Sequence, residues 1–534
     1  MERLSVIVDV NRRYQKLDGF GTSLMWWANA MQGFEQIPAT EAGMADGCRN
    51  RYEELMNLLF DPDKGLGINI VRYNVGGGDC EALDFINRSG AKIPGYLSKD
   101  GHYDWKADAM QQKVLADAYR LIKRSGQAFY NTVFSVAPPY FMTYSGSSTG
   151  GKNPADDNLR WDCYQDFVSY FLDVASYIKD ELQIPVTDIE PVNEPTSGYW
   201  VYGSQKQEGC QFNRVLQPEL HQATFDSAKD TYDPQCYSAL SKIYEMTGKE
   251  LARRQEAGKL SGVIISGTDE TSIDEAASSF LALTDKAKDA ISKIATHGYA
   301  GSRRKELREL ASCYAKKLWM SEASYGGGEW NPEAMDDGCF QLSRAVQKDF
   351  YEMGATGWVI WQGIESLGEN LLWNANWGLI HCLYEEPAWK EKNPFGMSRK
   401  QYCIGEGRCL TPEALIEKGL HRGDYFLCKQ YYVFGQYTKF LKEGYEIVDV
   451  SSPDFAAAVS PDGTLVIVAA NETKEEKICR LEVKGAGKLR LVKGTRTSET
   501  EKWAEVTDSL EHGEDWMELR LPPKSVSSYE MKTR

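Results

Sequence analysis

The chain has 534 residues, 42% of them hydrophobic and 26% charged, which is ordinary globular usage and excludes a disordered or collagen-like chain. Its net charge of −16, from 61 Lys and Arg against 77 Asp and Glu, repels phosphate backbones and argues against a nucleic-acid partner. Apolar runs such as 465–470 fall far short of the ~18 residues a membrane span needs, so no membrane partner is expected.

The first residues, Met1-Glu2-Arg3-Leu4-Ser5, open neither a long apolar stretch nor a small-residue cleavage site. The expected location is cytoplasmic, or secreted if a leader has been removed. The 12 cysteines are scattered and form no Cys-x-x-Cys, which favours free thiols over a zinc ribbon or redox motif. Aromatic residues are abundant, with 14 Trp and 29 Tyr; such rings fill cores or stack on the apolar faces of sugars.

Run 4–10 alternates apolar residues and reads as a strand. Eight further β-like runs follow, at 19–23, 68–73, 132–135, 188–192, 263–267, 294–297, 317–321 and 357–361. Helix-like segments separate them, at 51–59, 110–124, 163–182, 218–227 with 239–257, 273–286, 303–315 and 335–353. In 163–182, Phe167, Tyr170, Phe171, Val174 and Ile178 recur at helical spacing and form an apolar stripe. Eight β-α alternations predict an α/β fold, a (β/α)8 TIM barrel. A doubly wound sheet has less support, because no Gly-x-Gly-x-x-Gly opens a helix after the first strand.

Beyond about residue 440 the pattern turns all-β. Runs 456–459 and 464–470 flank the turn Pro461-Asp462-Gly463, and 477–483, 488–492, 516–521 and 525–531 follow. The expected organisation is an N-terminal strand in 1–16, a catalytic barrel in 17–436 and an all-β sandwich side domain in 437–534, with both chain termini building the side domain.

Barrel enzymes place their chemistry at the C-terminal strand ends. Strand four runs into Asn193-Glu194-Pro195 and strand seven into Ser321-Glu322-Ala323. Two carboxylates facing one cleft are what glycosidic cleavage requires: one protonates the leaving oxygen, while the other attacks the sugar or activates water. Asp269 and Glu270 end strand five and are candidates to touch sugar hydroxyls. His297 reads as a hydrogen-bonded supporting residue. The adjacent Trp26 and Trp27 are candidates to bind the sugar, although one of such a pair usually points inward.

Other motifs lead nowhere. Gly76-Gly77-Gly78 and Gly326-Gly327-Gly328 lack the Lys-Ser/Thr of a phosphate loop, and no His-Glu-x-x-His is present, so no cofactor and no metal are expected. Gly146-Ser147-Ser148-Thr149-Gly150 has esterase letters without the strand and helix that a nucleophile elbow needs.

The strand-four and strand-seven motifs resemble those of clan A retaining glycosidases. Gly19-Phe20-Gly21-Thr22-Ser23-Leu24-Met25-Trp26-Trp27-Ala28 is similar to the opening of glycoside hydrolase family 30, nearest its endo-β-1,6-galactanase-like branch. Asn69-Ile70-Val71-Arg72-Tyr73-Asn74-Val75-Gly76-Gly77-Gly78, Pro138-Pro139-Tyr140-Phe141-Met142-Thr143, Gln207-Glu208-Gly209-Cys210, Asn376-Trp377-Gly378-Leu379 and Leu521-Pro522-Pro523-Lys524-Ser525-Val526 agree with it. The resemblance implies a retaining hydrolase of a β-linked oligo- or polysaccharide. In that reading Glu194 is the general acid/base and Glu322 the nucleophile. Arg72 orients a catalytic carboxylate, Tyr299 sits near the nucleophile, Trp361 floors the subsite of the cleaved sugar and Asn193 holds its 2-hydroxyl. The sequence departs from the family where Val136-Ala137 replaces Asn-Ser before Pro138-Pro139. Two alternatives accompany the galactanase reading: an exo-acting β-glycosidase of the same family, and a catalytically silent carbohydrate-binding protein. The presence of both glutamates argues against the second.

Overall fold

The computed structural model describes residues 2–40, 46–214, 238–327, 329–373, 375–385, 419–487, 489–506, 511–513 and 516–533. The run expected at 218–227 and Gly328 lie outside the described residues. After β1 (Glu2–Lys16), the eight expected runs form β2 (Gly19–Ser23), β3 (Ile70–Asn74), β4 (Tyr130–Phe134), β5 (Asp188–Glu190), β6 (Ile264–Glu270), β7 (Ile291–His297), β8 (Lys317–Ala323) and β9 (Gly357–Gln362). They close in that order into a barrel, every pair parallel.

The intervening helices show their causes in the sequence. Helix Arg51–Phe60 begins where the Asn50 side chain accepts from Glu53 N, with Glu53 and Glu54 in its first turn, a capped and dipole-matched start. The expected stripe of 163–182 is buried in helix Tyr164–Ser176 and the π turn Tyr177–Glu181 that continues it. The run 273–286 splits into Ile273–Ala282 and Asp285–Ala290, because Thr284 caps a new helix by accepting from Ala287 N.

Barrel interiors are usually layered with bulky aliphatic side chains. This one carries a column of buried polar groups instead. Lys293 Nζ donates to Asp188 Oδ2 at 2.7 Å, and Ser266 Oγ lies 2.7 Å from Asp188 Oδ2 and 3.0 Å from Glu190 Oε1. Arg72 reaches Glu190 Oε2 at 3.3 Å. The column leads from the barrel floor to the mouth.

Past the barrel, a three-stranded sheet that the sequence pattern did not reveal joins β10 (Ile364–Ser366), β11 (Ile380–Cys382) and β12 (Tyr425–Leu427). The remaining strands are β13 (Glu446–Val450), β14 (Phe455–Val459), β15 (Leu465–Asn471), β16 (Lys477–Lys484), β17 (Leu489–Thr497), β18 (Ala504–Glu505), β19 (Trp516–Leu521) and β20 (Ser525–Thr533). With β1 they make one continuous nine-stranded sheet, ordered β18-β17-β20-β15-β14-β13-β1-β16-β19. The sheet curls until β19 comes back against β15 and β20, enclosing its own apolar core around Val8, Phe455, Ile467, Leu481 and Leu519. β1 lies inside this sheet, antiparallel to β13 and parallel to β16.

Helix Lys429–Thr438 is buried along its whole length. Its Tyr431 hydroxyl donates to Leu58 O at 2.8 Å on the barrel side, and its Gln436 carbonyl accepts from Ser528 Oγ at 2.7 Å on the sheet side. The expected barrel end at 436 falls within this shared helix. The nine cysteines among the described residues are free thiols, and no described helix is long and apolar enough to cross a membrane.

Candidate active site

Glu194 follows β5 in a backbone conformation that L-residues rarely adopt, with φ 45°. Such a position costs of order 1–3 kcal/mol unless its surroundings enforce it. Here Glu194 N donates to Asp269 O at 2.8 Å, and the Glu194 carbonyl accepts from Trp200 Nε1 at 3.0 Å. Asp269 is itself left-handed, φ 59°, so two strained residues clasp each other across the mouth. Gly209 permits the clasp, since a Cβ there would lie 2.0 Å from the Trp200 ring.

Glu322 projects from β8. Arg72 on β3 donates to its Oε2 at 2.7 Å and the Tyr299 hydroxyl to its Oε1 at 2.8 Å. The Arg72 guanidinium also reaches Asp269 Oδ2 at 2.9 Å and Asn193 Oδ1 at 3.4 Å, and its charge lies 4.1 Å over the Phe134 ring. Facing oxygens of Glu194 and Glu322 lie within 4.8 Å of each other, with His297 between them.

His297 ends β7, fully buried. Its Nδ1 lies 2.9 Å from Glu194 Oε1 and 3.6 Å from Glu322 Oε1, and its Nε2 lies 3.1 Å from Asp269 Oδ1. Among the described residues this is the group whose carboxylate and imidazole atoms gather closely enough for a cation. The donor set is already spent, because both ring nitrogens face carboxylate oxygens and the Arg72 guanidinium supplies the positive charge.

Burial weighs on every group here, and the neighbouring charges and hydrogen bonds decide which way each one moves. Alone it would lift Asp269, but the Arg72 and His297 charges hold that carboxyl down at about 2. Burial and the Asp269 charge push Glu190 up to about 7. Burial lifts Glu322 above the usual carboxylate range against the opposing charges of His297 and Arg72. Against its own burial, Glu194 is held below that range by hydrogen bonds from His297 and Tyr199.

The structure thus gathers Glu194, Glu322, Arg72, Asn193, Tyr299, His297 and Asp269 into one hydrogen-bonded assembly. Asp269 and His297 lie beneath the carboxylate pair rather than on the cleft surface. Asp269 is fully buried, its oxygens turned to Arg72, His297 and Ser321, and so does not face a sugar hydroxyl. Trp27 is not at the site: it is fully buried in the main core, and its Nε1 donates to Ser23 O at 2.6 Å. Trp26 is also buried and stands edge-on to the half-buried Trp361, centroids 5.4 Å apart. Val136 and Ala137 pack in the same apolar cluster, so the departure from the family pattern lies in the wall that carries Trp361.

Sequence reasoning missed Tyr199, whose hydroxyl lies 2.5 Å from Glu194 Oε2 and 3.0 Å from Thr271 Oγ1. An exposed aromatic five residues after the strand-four glutamate was the available signal. Glu190 was also missed, although it lies in the strand-four run 188–192, four residues before Glu194.

A closed parallel barrel with two carboxylates facing each other across its mouth is an arrangement suited to glycosidic cleavage, and comparison with known proteins supports a glycoside hydrolase. Residues 3–223 match the model of O-Glycosyl hydrolase family 30, so the expected resemblance to that family holds. The chain is 25% identical over 486 residues to an endo-β-1,6-galactanase of Hypocrea rufa, covering 88% of this chain and 81% of that protein. It is 25% identical over 428 residues to an exo-β-1,6-galactobiohydrolase of Bifidobacterium longum subsp. longum, covering 68% of this chain and 28% of that protein. A crystal structure of a conserved exported protein from Bacteroides fragilis shares the fold, with TM-score 0.70 and 19% identity over 98% of this chain and 100% of that one.

Proposed function

We propose that the chain is a retaining β-glycosidase that cleaves β-1,6-galactan internally by double displacement. The observation that carries the mechanism is the carboxylate pair. Retaining enzymes hold their two carboxyls about 5–5.5 Å apart and inverting ones about 6.5–9.5 Å; facing oxygens within 4.8 Å suit the first. The substrate comes from the names of the two relatives, which share the β-1,6-galactosyl linkage and differ in endo or exo action.

In this reading Glu322 is the nucleophile. A guanidinium and a phenol hydroxyl donate to its two oxygens, and such donors fit the ionised form. Glu194 protonates the leaving oxygen and then takes a proton from the water that hydrolyses the glycosyl-enzyme. Asn193 holds the 2-hydroxyl beside Arg72, and Trp361, backed by Trp26, floors the subsite.

The test is digestion of de-arabinosylated β-1,3;1,6-galactan with products resolved over time. Early short β-1,6-galacto-oligosaccharides are expected, with retained anomeric configuration, and Glu322→Gln should be inert. Monosaccharide or disaccharide alone from the first minutes would overturn internal cleavage. An active Glu322→Gln would overturn its role as nucleophile.

A further inference from the structure

The site holds fewer protons than its geometry demands unless one is shared. Each nitrogen of His297 faces a carboxylate oxygen, Glu194 Oε1 at 2.9 Å and Asp269 Oδ1 at 3.1 Å. A neutral imidazole carries one N–H, so one of these contacts would set a lone pair against an anionic oxygen. With Asp269 held as an anion by the Arg72 guanidinium, two arrangements avoid that clash. Either the ring is an imidazolium between two carboxylates, or it is neutral with Nε2–H on Asp269 while Glu194 is a carboxylic acid donating to Nδ1. They differ only in where one proton lies along a single hydrogen bond.

The surroundings choose between them. Asp269 is tied to Arg72 and Ser321 as well as to His297, so it remains the anion. The remaining charged or titratable groups facing the ring are Glu322 at 3.6 Å from Nδ1, Tyr299 with its ring edge-on at 5.9 Å, and Arg72, which reaches the ring through Asp269 and Glu322. Three carboxylates thus surround the imidazole, and in the open cleft they favour its charged form. His297 is accordingly raised well above its ordinary value: burial opposes the charge, and the Glu322 and Asp269 carboxylates overcome it. Glu194 is correspondingly the stronger acid in the empty site, the reverse of what a general acid needs at the start of its cycle.

We propose that His297 is a proton store for Glu194: it holds the catalytic proton on Nδ1 while the cleft is open and passes it to Glu194 when the sugar covers the pair. This rests on Glu194 being the acid/base. Removing water penalises separated charge, so closure by substrate favours neutral acid and neutral imidazole over the ion pair. The N–H bond at Nδ1 breaks, the O–H bond at Oε1 forms, and the ring keeps its Nε2–H on Asp269. The carboxyl proton then goes to the leaving oxygen as the glycosidic C–O bond breaks. In the second half-reaction Glu194 takes a proton from the attacking water, and that proton returns to Nδ1. His297 acts through Glu194 and is a positioning residue.

Two measurements test this. Nitrogen-15 NMR of the free enzyme with labelled histidine should show both His297 nitrogens protonated from pH 5 to 8; one bare nitrogen in that range overturns the store. The second is His297→Gln, whose amide can donate to Glu194 but cannot transfer a proton. It should lower kcat/KM about 10²-fold on aryl β-galactosides with poor leaving groups, at the lower end of a general-acid contribution. It should change rates with dinitrophenyl leaving groups by less than threefold, because these depart without a proton. An equal loss for every leaving group overturns the proposal and marks a structural role. Glu194→Ala on the same panel keeps the two ideas apart: if it lacks the leaving-group dependence, the acid/base reading fails, whatever the NMR shows.

Discussion

Replacing Tyr299 with Phe removes one hydroxyl and keeps the ring edge-on to His297. The lost contact is the 2.8 Å hydrogen bond to Glu322 Oε1; Arg72 still donates to Oε2 at 2.7 Å. A hydrogen bond to a charged group contributes about 1.5–3 kcal/mol. Water entering the open mouth recovers part of that, so about 1.5 kcal/mol is the expected loss, or roughly tenfold in kcat/KM. The same energy appears in protonation. Tyr299 donates to the ionised carboxylate, so its removal raises the Glu322 carboxyl further. In the proposed mechanism Glu322 attacks as the anion; the acid limb of kcat/KM against pH should therefore move upward while the alkaline limb stays in place. Initial rates on an aryl β-galactoside from pH 3 to 9 measure both effects. An unmoved acid limb with kcat/KM within twofold of the parent would refute the view that Tyr299 tunes the nucleophile.

Other expectations concern the supports of the site. Lys293→Met leaves Asp188 buried without its 2.7 Å ion-pair partner and should cost about 3–5 kcal/mol. The urea midpoint should fall, and Asp188→Leu added to it should restore much of the loss; a midpoint shift worth less than 1 kcal/mol would contradict this. Gly209→Ala forces a Cβ within 2.0 Å of the Trp200 ring at φ 77°. Because Trp200 holds the Glu194 carbonyl, kcat should fall by an order of magnitude or more, as small misplacements of reacting groups do. An unchanged kcat in a folded variant would detach Trp200 from the chemistry.

The barrel was legible because its strands are short apolar runs set between segments of helical period, and all eight appear close to their expected places. Their ends were less clear. β6 runs on through Thr268, Asp269 and Glu270, and β8 through Glu322 and Ala323. Polar letters read as loop, yet inside this barrel they find partners and keep the ladder. β10, β11 and β12 were missed for a related reason: each is only three residues long and none falls within the β-α alternation, while Glu446 and Asp449 make the run of β13 read as polar. The two glutamates could be read from local motifs. The tie from Arg72 to Glu322 spans 250 positions, and the column from Lys293 to Glu190 crosses three strands. No window of sequence displays such contacts, and for the same reason the occupied oxygens of Asp269 and the inward turn of Trp27 became visible only in three dimensions.

The placement of β1 has a consequence for biosynthesis. Val8 pairs with Val450 on one side and with Val483 on the other, so this segment leaves the ribosome hundreds of residues ahead of both neighbours. At about 5–20 residues per second, tens of seconds pass before either partner is made. During that interval all eight barrel strands emerge, while a fifteen-residue strand waits with two unsatisfied edges. Such edges invite pairing with other chains. β1 carries Arg3, Asp9, Arg12, Arg13 and Lys16 along its length, the kind of charged pattern that keeps a waiting edge from pairing with its copies.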